Sequence, residues 1–223
     1  MNVILMVFLL VSDAHGLPLT RAEIGCTFEP ELNRTFYTGV AFASFGAVTV
    51  NTFAASGGVA LGVLNNAFDM KIFAKAEYRL PIKLPLIFSF HYTYNGLPDY
   101  KTHIQSLLPM VALKGRWVGT AIGPAWHFTI FKQEPVIIEP IFAFSAYVNL
   151  YNTEKGRIGL ECANYTDFVS RNMGSYSFRL YTSIRITPIC TFINDLTLYQ
   201  TGSVGLAAQL YGIAYRGGIA FTW

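Results

Sequence analysis

Residues 68–80 read FDMKIFAKAEYRL. Taken in twos, Phe68, Met70, Ile72, Ala74, Ala76, Tyr78 and Leu80 fall on one side, and Asp69, Lys71, Phe73, Lys75, Glu77 and Arg79 on the other. A period of two belongs to a β-strand, whose successive side chains point to opposite faces. A helix crossing lipid does not carry so many charges, because each is costly at the bilayer centre. A strand does, if its charged face meets a wet interior while its apolar face meets lipid. The stretch therefore predicts a strand of a membrane barrel.

The same parity governs residues 211–223, YGIAYRGGIAFTW. Tyr211, Ile213, Tyr215, Gly217, Ile219, Phe221 and Trp223 alternate with Gly212, Ala214, Arg216, Gly218, Ala220 and Thr222. An aromatic last residue behind alternating aromatic and aliphatic positions resembles the terminal strand of bacterial outer-membrane β-barrels. In those proteins this strand is the signal read by the assembly machinery. The resemblance implies an assembly signal at Tyr215, Ile219, Phe221 and Trp223, with outer-membrane lipid and the barrel assembly machinery as partners.

Composition points the same way. The chain of 223 residues is 52% hydrophobic and 13% charged, with a mean hydropathy of +0.38; soluble domains carry roughly 25% charged residues. Its net charge of +3 and pI near 8.7 are too mild a bias to argue for nucleic acid. Cys26, Cys162 and Cys190 are odd in number and match no zinc or redox spacing, so they read as small hydrophobes. The apolar run 3–11 (VILMVFLLV), followed by small residues, reads as a secretory signal over 1–16, although it lacks the usual positive start. Residues 17–35 are then expected as a periplasmic segment and 36–223 as the barrel.

Alternation along 36–223 predicts eight antiparallel strands, making the fold all-β. They are expected at 36–50, 68–80, 86–94, 116–131, 136–151, 176–187, somewhere within 191–201, and at 211–223. Pro81 and Pro85 bracket a turn, and Lys132, Gln133, Glu134 and Pro135 form another. Residues 95–106 and 152–175 are polar and read as long external loops. Residues 107–114 also alternate, but keeping the parity of eight strands places them in a loop. Eight is an even number, as bacterial single-chain barrels have, and short turns alternating with long loops is their usual asymmetry.

Folded in this way, Lys71, Lys75, Glu77, Arg79, His91, His127, Glu139, Arg179, Arg185 and Arg216 face the lumen. They are the candidate residues for transport or ligand binding, and their excess of cations predicts a mostly basic interior. Eight strands leave an interior about wide enough for side chains, so the bland alternative is that these charges pair and plug it. Small inward residues on the first, fourth and last strands favour open space instead. A hairpin turn near residue 133 sets His127 opposite Glu139 with Thr129 one step along, which offers a base, an orienting carboxylate and a hydroxyl. That set is similar to the outer-membrane lipid A deacylases, although those use Ser. No histidine pair has ligand spacing and no glycine pair opens a phosphate-binding helix, so no metal and no cofactor is expected.

Over residues 36–223 the chain resembles the small OmpW, OmpX and OmpA-type barrels, and OmpW-like proteins fit best by size and by the apolar, small-residue lumen. That resemblance implies a bacterial outer-membrane location, loops facing the exterior, and a narrow channel or pocket for small hydrophobic or anionic molecules. No catalytic residue is assigned. The alternatives are a structural or adhesive surface barrel with an occluded lumen and working loops, and a lipid A hydrolase.

Overall fold

The computed structural model describes residues 21–33, 38–64, 66–98, 102–131, 135–165, 175–201 and 209–223. The 68–80 stretch forms the strand Ala67–Arg79, and its two parities separate as the sequence requires. Asp69 and Phe73 are buried, while Phe68, Ala74 and Tyr78 are exposed on the outer surface. Among the described residues it is the fourth of twelve strands: β1 (Arg21–Asn33), β2 (Thr38–Val50), β3 (Phe53–Leu64), β4 (Ala67–Arg79), β5 (Leu86–Leu97), β6 (Thr102–Lys114), β7 (Val118–Phe131), β8 (Ile137–Thr153), β9 (Gly156–Ala163), β10 (Ser175–Arg185), β11 (Cys190–Thr201) and β12 (Gln209–Thr222). Each strand pairs antiparallel with its neighbours in sequence, and β1 pairs with β12 to close the barrel. Reciprocal main-chain bonds of 3.0 Å between Ala22 and Trp223 extend that closing seam. Closure matters in lipid, where no water is present to satisfy the free edge of a sheet.

The expectation of eight strands is therefore corrected to twelve. The four additional strands lie where connections or a free segment were expected: β1 within 17–35, β3 in the connection after the first expected strand, β6 across 102–114, and β9 inside the polar stretch 152–175. Asn51, the single strongly polar residue between two apolar runs, is the hinge of a two-residue hairpin. It takes φ 51°, in the left-handed region that Asn tolerates, and Val50 pairs with Phe53 across the turn. Residues 1–16, expected as a signal, lie outside the described residues.

Twelve strands also change which connections share an end. The ends of β1 and β12 that carry Arg21 and Thr222 lie with the turns at 51–52, 80–85, 115–117, 154–155 and 186–189. The connection from β7 to β8, expected on the same side as 80–85, belongs to the opposite end, because three strands and not two separate them.

All the charge in the wall points inward. Of the strand residues on the outward parity, none is Asp, Glu, Lys or Arg. The outward surface is instead a band of large apolar side chains such as Phe42, Leu61, Ile122, Phe142, Leu196 and Ile213, each at least 40% exposed. Tyr78, Trp117, Tyr151 and Trp223 stand exposed at the short-turn end. Aromatic side chains suit the boundary between hydrocarbon and water, because an apolar body carries a polar tip.

Between β6 and β7 the ladder pairs Leu107 with Trp126 and next pairs Val111 with Ile122. The interval holds Pro109 and Pro124 on facing strands, and proline has no N–H to contribute.

Candidate functional site

The inward face of the strands carries nine cations, Arg21, Lys71, Lys75, Arg79, Lys114, Arg157, Arg179, Arg185 and Arg216. Against them stand eight carboxylates, Glu23, Glu29, Glu31, Asp69, Glu77, Glu139, Glu161 and Asp195. The expected mostly basic lumen is thus corrected to a nearly balanced one, because the strands absent from the eight-strand reading bring acidic residues with them.

The charges interlock. Lys71 Nζ lies 2.9 Å from Asp69, while Lys75 and Lys114 reach Glu77 Oε1 at 2.8 and 2.6 Å. Across the other wall a belt runs through five adjacent strands. Glu161 on β9 meets Arg179 on β10 at 2.5 Å, and Arg179 reaches Asp195 on β11 at 3.8 Å. Asp195 lies 4.0 Å from Arg216 on β12, whose Nε is 3.2 Å from Glu29 on β1. Cross-strand register explains the belt: Arg179 stands opposite Glu161, and Arg216 opposite Asp195. Each cation is thereby held beside carboxylates in a partly wet interior, where an unpaired charge is expensive.

The remaining candidates are dispersed. Arg79 and Arg185 are exposed at the short-turn end and Glu139 is exposed near the other, so none belongs to the central belt. His91 is only 1% exposed; its ring makes edge contacts with Phe73 at 6.2 Å and with Tyr165 at 5.9 Å between centroids. His127 is opposite Glu139, as the hairpin predicted, and opposite Ser106 on the other side. Ser106, not Thr129, is therefore the hydroxyl that shares the row; Thr129 sits one pair further on, between Ile104 and Ile137. Ser106 is 1% exposed.

Among the described residues, cavities open into the interior. One of about 450 Å³ lies at the short-turn end, lined by Arg21, Glu23, Arg157, Tyr181, Ser183 and Thr191 among others. A second of about 160 Å³ lies deeper, against Ser89, Met110, Ala121, Ser145, Tyr165 and Ser177. Lys75, Lys114, Tyr147, Glu161 and Arg179 line both and form the waist between them. Arg157 and Arg179 place their guanidinium groups over the Tyr181 ring at 5.4 and 5.5 Å, while Tyr181 donates its hydroxyl to Asn149 Oδ1 at 2.6 Å. Arg157 thus presents its positive charge to the larger cavity from an aromatic face, while Arg179 is also held by Glu161 and Asp195.

Sequence reasoning missed Lys114, Glu29, Glu161, Asp195 and Tyr165. The first three sit on strands read as connections or as a free segment, and Asp195 on the strand whose position was least certain. Tyr165 follows the last strand residue of β9 and gave no periodic signal. Among the described residues no group of three His, Cys, Asp or Glu side chains is placed to hold a metal ion, and all three cysteines are free. Tyr215, Ile219, Phe221 and Trp223 are all exposed on the outer face of β12.

A closed antiparallel barrel with an uncharged outer band and a charged, cavity-bearing lumen defines an outer-membrane type of β-barrel. Solved structures bear out that fold. The chain is similar to the NanC porin, with a TM-score of 0.56 at 10% identity, covering 88% of this chain and 98% of that one. It is likewise similar to the KdgM porin, solved in complex with disordered oligogalacturonate, with a TM-score of 0.54 at 9% identity and coverages of 89% and 99%. The translocator domain of the autotransporter NalP from Neisseria meningitidis gives a TM-score of 0.53 at 12% identity, covering 97% of this chain and 92% of that one. No protein family matches the chain, and no curated protein matches it in sequence.

Proposed function

We propose that the chain is a porin-like channel of the bacterial outer membrane that passes small charged or hydrophilic solutes, with a mild preference for anions. The observation that carries this reading is the pair of charged cavities meeting at a shared waist inside a wall whose outer face bears no charge. Twelve strands enclose more space than the eight whose interior side chains fill alone. The short turns face the periplasm and the longer connections the exterior, the usual arrangement of such barrels. Between the anionic and the hydrophobic solutes implied by the sequence, the lining of the cavities favours the anionic. The larger cavity presents Arg21, Lys75, Lys114, Arg157 and Arg179 against Glu23, Glu161 and Asp195. The likeness to OmpW-type barrels rests on size and on an apolar, small-residue lumen, and it does not extend to the number of strands.

Reversal potentials in planar bilayers under a salt gradient test the selectivity. Wild-type protein is expected to be weakly anion-selective. Arg157 and Arg185 are the cations to change, because neither makes an ion pair among the described residues, so the charge changes at the loss only of the Arg157 contact with the Tyr181 ring. Replacing both with Glu turns nine cations against eight carboxylates into seven against ten, and selectivity should cross to cations. A strongly cation-selective wild type would oppose this reading.

The exposed aromatic residues of β12 support a second expectation, that the assembly machinery reads this strand. Phe221→Asp should lower the amount of heat-modifiable barrel in the outer membrane, while molecules that do assemble conduct normally. Unchanged surface levels would leave the terminal strand without that role.

One observation favours the alternative of an occluded structural barrel: Phe73, His91, Leu108 and Tyr165 are packed together across the interior at mid-height.

A further inference from the structure

Ala163, the last residue of β9, pairs with Ser145 on one side and Ser177 on the other. Asn164 follows where the regular ladder ends. Its side-chain amide is nearly completely buried; Nδ2 donates to the Phe142 carbonyl at 2.8 Å, and Oδ1 accepts from the Phe144 N–H at 2.8 Å. Its own N–H donates to the Phe144 carbonyl at 3.2 Å. The side-chain amide, using one of its N–H groups and its carbonyl oxygen, is thus taking the place of a strand residue along the edge of β8. The following side chain is left to project into the lumen.

Tyr165 does so. Its hydroxyl lies 3.1 Å from Ser145 Oγ on β8, and its ring packs on the buried cluster of Leu108, Met110, Ala125 and Ala143. The ring meets His91 on β5, which in turn meets Phe73 on β4. Three rings in edge contact therefore run from the β8–β9 wall to the β4–β5 wall. Tyr165 also lines the smaller cavity, so it stands where the wet, charged space gives way to packed side chains.

We propose that Tyr165 sets the limiting aperture of the lumen and that Asn164 is the residue that positions it. Phe73, His91 and Leu108 are rooted in strands, and moving them means moving the wall. Tyr165 lies just beyond the end of β9, and its hydroxyl contact with Ser145 and its ring contacts with His91 and the Leu108 cluster hold it across the lumen. Of the three rings it is the one rooted beyond the end of a strand, and its truncation leaves the cluster of Phe73, Phe45 and Ala60 intact. The solutes it holds back are those the cavities below admit, small hydrophilic anions larger than chloride. This inference rests on the channel reading, and the experiment separates the two.

Single-channel conductance in planar bilayers is compared for wild type, Tyr165→Ala and Tyr165→Phe, all shown to be folded by heat-modifiable migration, in chloride and in gluconate. Tyr165→Ala is expected to raise conductance several-fold, with a larger gain for gluconate than for chloride, while Tyr165→Phe stays near wild type because ring size is kept. Asn164→Ala, which frees the ring without removing it, should give flickering between two conductance levels. If wild type and Tyr165→Ala conduct alike, Tyr165 is not the aperture although the channel reading stands. A closed wild type with an open Tyr165→Ala supports the aperture and contradicts the channel reading for the unmodified chain. Silence from every variant overturns both.

Discussion

Ala74→Arg is expected to destabilise the barrel by about 2 to 4 kcal/mol in lipid vesicles, read as a lowered urea midpoint for unfolding, because it places a guanidinium near the bilayer midplane. Ala74 lies near the middle of β4 on the outward parity and is exposed to the membrane. Truncation of packing does not enter, since the native side chain is a methyl group. The fitting control is Ser183→Arg, an inward position that lines the larger cavity, where water receives the charge even though Arg157 stands opposite, and the midpoint should move far less. Phe73, adjacent on the inward parity, is not a neutral control. It is 6% exposed and packed with Phe45 and Ala60, so Arg there would disrupt a packed cluster for reasons unrelated to lipid. Equal loss at Ala74 and Ser183 would contradict the assignment of faces.

The second large effect concerns closure. Gly218 on β12 faces Thr27 on β1 at the seam where the first and last strands meet. A Cβ there would fall 2.1 Å from the Cys26 carbonyl oxygen and 2.8 Å from the Thr27 Cα, both main-chain atoms. Main chain in a paired strand does not swing aside, so Gly218→Val should cost about 3 kcal/mol or more, the upper end of what overpacking costs in a core. The expected result is a sharply reduced fraction of folded, heat-modifiable protein. Gly217→Ala makes the comparison: the atoms its Cβ would meet belong to the Tyr215 ring, a flexible side chain on the lipid face that can turn away. Comparable folding yields for the two variants would mean that the seam is looser than its geometry.

Which parts of this fold were legible in the sequence follows from what the lumen needs at each height. β4, β5, β7, β10 and β12 could be read because one of their faces is large and apolar while the other is charged, polar or small, and the structure keeps the parity expected for each. β3 gave no such contrast. Its inward residues Ala54, Ser56, Gly58, Ala60 and Gly62 are small because Phe45 and Phe73 from the neighbouring strands fill the space in front of them; a Cβ on Gly58 would lie 2.5 Å from the Phe73 ring. With apolar residues outward and near-nothing inward, alternation disappears. β6 was obscured by its polar beginning and by Pro109, which in an ordinary sheet would argue against a central strand. Here Pro124 faces it, so the missing donors fall in one interval of the ladder. β9 is only 8 residues long, and its Arg157 and Glu161 resembled loop charges. β1 carries Glu23, Glu29 and Glu31, which suited a periplasmic segment equally well, although Ile24, Cys26 and Phe28 alternate with them.

The site was legible residue by residue but not as a whole. Lys71, Lys75, Glu77, Arg179 and Arg216 do face the lumen, yet their partners Lys114, Glu161, Asp195 and Glu29 come from strands that were unrecognised or uncertain. Missing those carboxylates produced a basic lumen where the molecule has a balanced one. The pairing of His127 with Glu139 was correctly derived from the hairpin register, whereas Ser106 could not appear opposite His127 until β6 was recognised. Tyr165 belongs to no strand and owes its position to the buried amide of Asn164, which no periodicity reports.

The claim beneath all of this is that β4 divides lipid from a watery lumen by strict alternation. Single cysteines placed at each of positions 69–79 in a background without Cys26, Cys162 and Cys190, followed by reaction of the protein in lipid vesicles with a small, charged, membrane-impermeant thiol reagent, measure it directly. The account predicts labelling at 71, 75, 77 and 79, protection at 70, 72, 74 and 76, and slow reaction at the buried positions 69 and 73. Labelling of neighbouring even and odd positions to the same extent, or protection of 75 and 77 alongside 74 and 76, would contradict it.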